Sequence, residues 1–279
     1  MKKTLSVILA ALLALGCVLM FASCGGTTEE TTAAADETTA ADEKTVVVGY
    51  TIYEPMNYKD ENGTLIGFDT ELAQKVFENL GYTVIFQEIE WSSKYTDLDS
   101  NTIDCVWNGF TANTADDDGI LRSEKVDFSY NYMENRQVVV VKADSTIATA
   151  EDLNGKFAVA ESGSAGEAYA KDFEGVAFKG FIKQTECLTE ILSGTADFAV
   201  VDAQLAKAYV GTGDYADLKI VEDLSSDVEY YAIGFKKGSE LTANVNAQLE
   251  ALAADGTIAA LAEKYGVENT AITDFADQK

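Results

Sequence analysis

The chain has 279 residues, enough for one large or two modest domains, and 47% of them are hydrophobic, which suffices for a packed core. Its formal net charge of −27 at pH 7 repels phosphate backbones, so the sequence disfavours nucleic-acid binding and is typical of a highly soluble protein. Histidine is absent from the sequence, which removes the commonest general base and metal ligand. We therefore predict no metal site and no cofactor.

The start of the chain does not have the pattern of a folded domain. Two lysines precede an apolar run at residues 5–21, and small residues lead into Cys24. This arrangement resembles a bacterial lipoprotein signal peptide at residues 1–23, with cleavage before Cys24 and lipid attached to its thiol. Cys17 is a weaker candidate. The alternative is a plain transmembrane anchor, because about 17 apolar residues are near the lower limit for spanning a bilayer.

The next segment, residues 25–44, consists mainly of Gly, Thr, Ala, Glu and Asp and has no large apolar residue. Such a composition buries too little surface to offset the entropy of ordering. With Cys24 it forms a predicted disordered tether at residues 24–44. We expect the folded domain to be lipid-anchored on the extracellular face of the cytoplasmic membrane.

Two further cysteines, Cys105 and Cys187, lie far apart in the sequence. Their spacing matches neither a disulfide framework nor a metal-binding motif. We interpret them as two small buried hydrophobic residues.

Strand and helix patterns alternate in the first part of the folded domain. The predicted strands lie at residues 45–49, 83–87 and from 103 onward, and the predicted helices at residues 68–80 and 95–98. Asp69 is placed to cap the longer helix. The order β-α-β-α-β predicts a parallel sheet with helices on its faces.

A second α/β unit follows. Its predicted strands lie at residues 137–142, 157–160, 176–178, 198–201, 218–221 and 230–235, with helices between them, and two helices end the chain. The first and last of these strands are predicted to join two lobes. Lobe 1 comprises residues 45–139 and 235–279, and lobe 2 comprises residues 140–234. Two crossings make a hinge, which suits closure around a ligand.

The strand that begins at Ile103 ends in Asn108, Gly109, Phe110 and Thr111. Glycine lets backbone groups approach a ligand closely because it has no Cβ. Open α/β sheets bind ligands at the carboxyl ends of their parallel strands. This strand end is therefore predicted to form one side of a binding cleft.

Eight segments, taken in order, resemble those of a known family. They are GYTIYEPMNY, NGTLIGFDTELA, IDCVWNGFT, RSEKVDFSYNY, AEDLNGK, GSAGE, GTADFAVVDAQLA and YAIGFKKGSEL. Each is weak alone, but the series is specific for the type II periplasmic solute-binding proteins of polar amino acid ABC importers, bacterial family 3. The resemblance implies a two-lobed α/β fold in which each lobe is a mostly parallel sheet flanked by helices, joined by a two-strand hinge.

The resemblance also implies ligand contacts on the first lobe. Tyr53 matches an aromatic residue that stacks on the ligand side chain, and Trp91 would line the same side. For both, core packing is the alternative. Asn108, Gly109 and Thr111 match polar positions that contact the α-amino and α-carboxylate groups, and Phe110 lies among them.

On the second lobe the resemblance points to two places. Ser164 and Ala165 would begin a helix whose free amides favour the ligand carboxylate. Ala165 lacks a hydroxyl that is often present there, so only its amide can contribute. Asp202 matches the acid that pairs with the α-amino group, with N-capping of the next helix as the alternative.

One position departs from the family. An arginine that binds the carboxylate is expected five residues after Thr111, where this sequence has Asp116. Counting back from the Phe-Ser pair that follows reaches Arg122, so an insertion at residues 113–118 with Arg122 as the carboxylate clamp is the simplest account. Under the alternative no arginine reaches the carboxylate. The acidic insertion lacks the alternating spacing of a calcium loop.

The leading hypothesis is a binding lipoprotein, not an enzyme, that captures an extracellular amino acid by hinge closure and delivers it to a membrane permease and its ATPase. We expect a monomer. One alternative is an enzyme on the same fold, such as a cyclic-acid dehydratase using Glu161 and Asp202. Another is a sensor that acts with a separate signalling partner. Cystine, polar and cationic amino acids all remain open as ligands, and the acidic insertion leans toward a cation.

Overall fold

The computed structural model of the protein describes residues 44–278. The predicted signal peptide and Cys24 lie outside these residues, as does the predicted tether apart from Lys44. Among the described residues, no helix combines the length and the apolar character that crossing a bilayer requires.

The described residues form strands β1–β13 and helices α1–α8. The strands are β1 (Lys44–Tyr50), β2 (Tyr58–Lys59), β3 (Leu65–Ile66), β4 (Tyr82–Glu88), β5 (Cys105–Thr111), β6 (Asp127–Phe128), β7 (Met133–Asn135), β8 (Gln137–Lys142), β9 (Phe157–Glu161), β10 (Ala177–Phe181), β11 (Phe198–Asp202), β12 (Leu218–Ser225) and β13 (Glu229–Phe235). The helices are α1 (Phe68–Asn79), α2 (Lys94–Asp99), α3 (Arg122–Lys125), α4 (Ala165–Lys171), α5 (Gln184–Ser193), α6 (Ala203–Tyr209), α7 (Leu241–Ala254) and α8 (Thr257–Lys264).

The first sheet has the order β4-β1-β5-β13-β6, and β7 also pairs with β13. Strands β1, β4 and β5 run parallel, as the β-α-β-α-β pattern predicts, whereas β13 runs antiparallel to its neighbours. Helix α1 packs on β4 and β5 and against α7 and α8. We call the elements of this sheet and its helices the first lobe.

The second sheet has the order β10-β9-β11-β8-β12. Strands β9, β10 and β11 run parallel, and β8 runs antiparallel to both of its neighbours. Helices α4 and α5 pack on its strands. We call this sheet and helices α4–α6 the second lobe. The predicted fold class of two α/β sheets flanked by helices is confirmed, although strands that enter a sheet from the other lobe run opposite to its parallel core.

The chain changes sheets earlier than the boundaries predicted at 139/140 and 234/235. It leaves the first sheet after Asn135 and enters the second at Gln137, and it returns between Ser225 and Glu229. The β-branched run of β8 and the aromatic run of β13 each pair along their whole length within one sheet. The short polar links between strands therefore make the two crossings, rather than the strands themselves.

Helix α1 shows why Asp69 does not act as its cap. The helix begins at Phe68 with Gly67 as its N-cap residue, and no side chain caps it. A Cβ on Gly67 would lie 2.1 Å from the main-chain oxygen of Met56, so the chain passes too closely there for a capping side chain. Asp69 is instead fully buried in the first turn of the helix. The prediction of Cys105 and Cys187 as buried free thiols is confirmed.

Candidate functional site

A cavity lies between the two lobes, and every predicted binding residue except Phe110 lines it. The lining consists of Tyr53, Trp91, Asn108, Gly109, Thr111 and Arg122 from the first lobe and Glu161, Ser164, Ala165, Gln184 and Asp202 from the second. Its volume is only about 10 Å³. That is room for about one water molecule. The lobes must therefore separate to admit anything larger.

Gly109 gives the end of β5 its shape. Its φ of +58° lies in the left-handed region that favours glycine. A Cβ at this position would lie 2.7 Å from Cε1 of Tyr53 and 2.9 Å from Cε2 of Tyr231. The Gly109 amide donates a 2.9 Å hydrogen bond to Oδ2 of Asp69, which anchors the strand end to α1.

Asn108 uses its side chain within the first lobe. Its amide nitrogen donates to the main-chain oxygen of Thr51 at 2.9 Å and to Oδ1 of Asn57 at 2.7 Å. Its side-chain oxygen accepts from the Thr51 hydroxyl at 2.7 Å. The side-chain oxygen that we expected to face a ligand therefore holds the loop after β1 in place.

Phe110 lies behind the cavity and not in its wall. Its side chain is fully buried in the apolar cluster that also contains Val106. Its ring packs edge-on against Trp91 at 5.2 Å and Phe128 at 4.9 Å between centroids. The Arg122 guanidinium lies 5.5 Å from its centroid. Phe110 thus supports two cavity residues instead of lining the cavity itself.

Arg122 is 1% exposed and reaches the cavity from the start of α3. Its Nε donates to Oδ1 of Asp116 at 2.8 Å, and its Nη1 donates to the Thr111 main-chain oxygen at 3.2 Å. Its Nη2 donates to the main-chain oxygen of Gly163 in the second lobe at 3.3 Å. Asp116 therefore holds one edge of the guanidinium and leaves the other edge directed between the lobes.

Asp116 is a carboxylate surrounded by donors. Besides Arg122, it accepts from Nζ of Lys125 at 2.8 Å and from the Tyr95 hydroxyl at 2.6 Å. Burial acts to raise its pKa, but the charge of Arg122 and the Lys125 hydrogen bond outweigh burial and bring the pKa to about 2. Neighbouring cations thus offset the negative charge that Asp116 brings to the position where the family has an arginine.

Tyr53 and Trp91 form the aromatic part of the wall, and each is also packed into the core. Tyr53 is 2% exposed, and its hydroxyl lies 2.7 Å from that of Tyr231. Trp91 is 5% exposed. Each ring therefore has both of the roles that the sequence left open, because it packs in the core and also lines the cavity.

Lys94 is a buried cation that sequence reasoning missed. It is 1% exposed, and its Nζ lies 4.9 Å from the centroid of Trp91 and 4.6 Å from that of Tyr95. It donates to the Gly163 main-chain oxygen at 3.0 Å, so two cations of the first lobe share one carbonyl of the second. Burial lowers the pKa of Lys94 to about 7, and the charge of Arg122 adds to this. Its position in a short helix gave no signal of this contact.

The turn before α4 supplies main-chain groups to the cavity. Ser164 is the N-cap, and its Oγ accepts from the Glu167 amide at 3.0 Å. The Glu167 carboxylate accepts in turn from the Gly163 amide. Within the described residues, the recorded hydrogen bonds leave the amides of Ala165 and Gly166 without an acceptor. Ser164 is therefore occupied by capping, whereas the Ala165 amide is available.

Asp202 ends β11, and its side chain does not cap α6. Its Oδ1 accepts from the side-chain amides of Asn135 at 2.8 Å and Gln137 at 2.6 Å, and its Oδ2 accepts from Gln184 at 2.5 Å. The same two amides, of Asn135 and Gln137, also donate to Oε1 of Glu229. Burial raises the pKa of Asp202, and burial followed by the charge of Asp202 raises that of Glu229 to about 7.

Two cavity residues were absent from the sequence-based set of binding residues. The sequence indicates Glu161 only as a catalytic acid and indicates no role for Gln184. Both lie where an element meets the cavity, at the end of β9 and the start of α5. For Glu161, its place at a strand end was a usable signal. For Gln184 the sequence gave none, because its contact with Asp202 depends on tertiary packing.

Comparison with known proteins assigns this architecture to a class. Residues 46–268 match the family described as bacterial extracellular solute-binding proteins, family 3. The match covers most of the chain, and the protein belongs to this family.

Three relatives illustrate the similarity. An arginine-binding extracellular protein of Bacillus subtilis is 28% identical over 95% of this chain and 98% of its own length. An L-cystine-binding protein of the same species is 30% identical over 76% of this chain and 77% of its own length. The crystal structure of an ABC uptake transporter substrate binding protein from Streptococcus pneumoniae with bound histidine superposes with a TM-score of 0.72 at 31% identity, covering 81% of this chain and 94% of that one. All three are named as binding proteins.

Proposed function

We propose that this protein is the substrate-binding receptor of an ABC importer for an amino acid. One observation carries the proposal: Arg122 from the first lobe and Asp202 from the second line the same cavity. An amino acid carries a carboxylate and an ammonium group, which a guanidinium and a carboxylate pair with. A zwitterion held between them would join the two lobes, so binding and hinge closure would be coupled.

Other cavity residues have complementary roles in this proposal. Thr111 and the main chain of Gly109 contact the α-groups from the first lobe, and the Ala165 amide adds a donor to the ligand carboxylate from the second. Tyr53 and Trp91 pack against the ligand side chain. Asn108 and Phe110 position the strand end from behind.

The family and the sequence support the cellular setting that we propose. The receptor delivers its amino acid to a membrane permease and an ATPase, and no reaction is catalysed. It works as a monomer on the extracellular face of the cytoplasmic membrane, with lipid attached at Cys24 and residues 24–44 as tether. The family is extracellular, and the relatives described above are named as binding proteins.

Calorimetry of the protein with the twenty amino acids and cystine tests the proposal. We expect tight binding of at least one of them, and Arg122→Ala should weaken that binding by roughly 30-fold or more because a buried charge loses its partner. Lys237→Ala, which removes an exposed cation paired with Asp127, is the control and should leave affinity unchanged. Failure of every amino acid to bind would refute the receptor proposal. Tight binding unaffected by Arg122→Ala would refute the role of Arg122.

A further inference from the structure

Glu161 is a cavity carboxylate that the protein itself leaves unpaired. It is the last residue of β9, is 5% exposed and lines the cavity between the lobes. Within residues 44–278, its carboxylate group forms no hydrogen bond and no ion pair. Asp202, in contrast, accepts three hydrogen bonds from side-chain amides in the same cavity.

An unpaired buried carboxylate is costly, because it loses its hydration and gains no partner. A partner that arrives from outside would remove this cost. In the proposed binding mode Asp202 takes the α-ammonium group and Arg122 takes the α-carboxylate. Glu161 is then left for a group on the ligand side chain. The rings of Tyr53 and Trp91 line the same space, and aromatic faces also favour cations.

We propose that Glu161 determines ligand specificity, and that it selects amino acids with a positively charged side chain. The inference rests on the proposed function, since it assigns the side-chain end of the same site. The guanidinium group of an arginine-like ligand or the ammonium group of a lysine-like ligand would form the ion pair that Glu161 lacks.

Several charged groups face Glu161 from neighbouring elements. They are Asp202 on β11, Lys94 on α2, Glu186 on α5 and Lys183 just before α5. The charge of Glu161 in turn raises the pKa of the Cys187 thiol on α5. Lys94 lowers the pKa of Glu161, but among the described residues it forms no ion pair with any acid. Its Nζ is instead bonded to main-chain oxygens. Lys94 therefore does not take the place of a cationic ligand.

Proton uptake gives a second readout. In the closed protein, burial followed by the charge of Asp202 raises the pKa of Glu161 to about 8. Closure over a neutral side chain should therefore bind a proton at Glu161 at pH 7, whereas closure over a cationic side chain keeps this carboxyl group ionised. The ratio of the affinity for a cationic amino acid to that for a neutral one should rise as pH increases toward 8.

The experiment compares L-arginine with L-citrulline, which has a neutral group in place of the guanidinium, by calorimetry at pH 6, 7 and 8. The wild-type protein should prefer L-arginine. Glu161→Gln should lower the arginine-to-citrulline affinity ratio by roughly 10- to 100-fold and abolish the rise with pH, since a hydrogen bond to a charged group is lost. Glu90→Gln is the matched control, because Glu90 is exposed and directly precedes Trp91. It should change neither quantity.

Three results would overturn the inference. If L-citrulline or another neutral amino acid binds as tightly as L-arginine, or if Glu161→Gln keeps the wild-type ratio, Glu161 does not select a cation, although the receptor function stands. If no amino acid binds at all, the proposed function fails and this inference fails with it. A thermal unfolding curve of Glu161→Gln that matches the wild type shows that any lost preference is not caused by misfolding.

Discussion

At the scale of single residues, the site depends on a glycine that no other residue can replace. Gly109 combines a φ of +58° with a Cβ position blocked by Tyr53 and Tyr231. Gly119 provides a matched comparison, because its φ is +75° and no atom lies within 4 Å of a Cβ built there. Substitution of Gly119 therefore tests backbone strain alone, whereas substitution of Gly109 tests backbone strain together with a steric clash.

We predict that Gly109→Ala lowers the free energy of unfolding by about 2–4 kcal/mol, because a strained φ is combined with displacement of two buried rings. Gly119→Ala should cost only about 1 kcal/mol, from the backbone term alone. Urea unfolding measures both. If both variants lose the same free energy of unfolding, the rings of Tyr53 and Tyr231 move aside without an energetic penalty.

Sequence reasoning placed residues at the site better than it assigned their contacts. The strand-end rule located Gly109 and Thr111 because parallel strands end at a common edge, and the family resemblance located Asp202. The strand-end rule misassigned Phe110, whose ring packs into an apolar cluster behind the cavity. It also missed Lys94, whose contacts come from the other lobe. Such contacts depend on how two distant segments pack, and local patterns do not contain that information.

At the scale of elements, long periodic segments were predicted closely and short ones were not. Strand β8 has the predicted bounds because a β-branched run is a strong local signal. Strands β2, β6 and β7 have two or three residues each and were not predicted. Their pairing is imposed by neighbouring strands and not by their own sequence.

The predicted insertion after β5 contacts residues of both lobes. Asp116 binds Arg122 and Lys125, and Asp117 reaches Nζ of Lys171 on α4 of the second lobe at 2.6 Å. Lys171 and Asp117 are 41% and 44% exposed, so solvent screens their pair. The buried contact of Asp116 should therefore matter more to binding than the exposed one of Asp117.

We predict that Asp116→Ala weakens amino acid binding by roughly 10-fold or more, because Arg122 loses the carboxylate that fixes its Nε edge. Asp117→Ala should weaken it no more than about fivefold, as for an exposed ion pair. Calorimetry with the tightest-binding amino acid measures both. Asp118→Ala is the control, since Asp118 contacts Lys125 but not Arg122. An Asp116→Ala variant that binds as well as Asp118→Ala would contradict a positioning role for Asp116.

At the scale of the whole molecule, the fold places acidic groups in its interior although the chain is already strongly acidic. Burial raises the pKa of Asp69 to about 7, even though Tyr132 and the Gly109 amide donate to its Oδ2. Within residues 44–278, its Oδ1 has no hydrogen-bond partner. Asp69 lies wholly within the first lobe, so its burial does not depend on lobe closure. Glu161 and Asp202, in contrast, face the other lobe.

These raised pKa values set the direction of pH dependence. A carboxyl group in the unfolded chain has a pKa of about 4, so between pH 4 and 7 folded Asp69 holds a proton that the unfolded chain releases. The stability that this proton contributes is complete below about pH 4 and is lost as pH rises through 7. Asp116 has the opposite effect at lower pH: because its folded pKa is about 2, its contribution makes stability rise with pH between about pH 2 and 4. Lys94 also makes stability rise with pH, but above pH 7, because its folded pKa is lowered to about 7.

We therefore predict that the melting temperature of the ligand-free protein falls between pH 5 and pH 7, where neither Asp116 nor Lys94 opposes the effect. Asp69→Asn should reduce this fall, because asparagine presents the same oxygen to Gly109 and Tyr132 without a titrating group. Asp144→Asn, at an exposed position, should leave the pH profile unchanged. Thermal unfolding at half-unit steps of pH measures all three. A wild-type profile that is flat or rising over this range would show that Asp69 is charged in the folded protein, and that the first lobe holds a buried carboxylate without a proton.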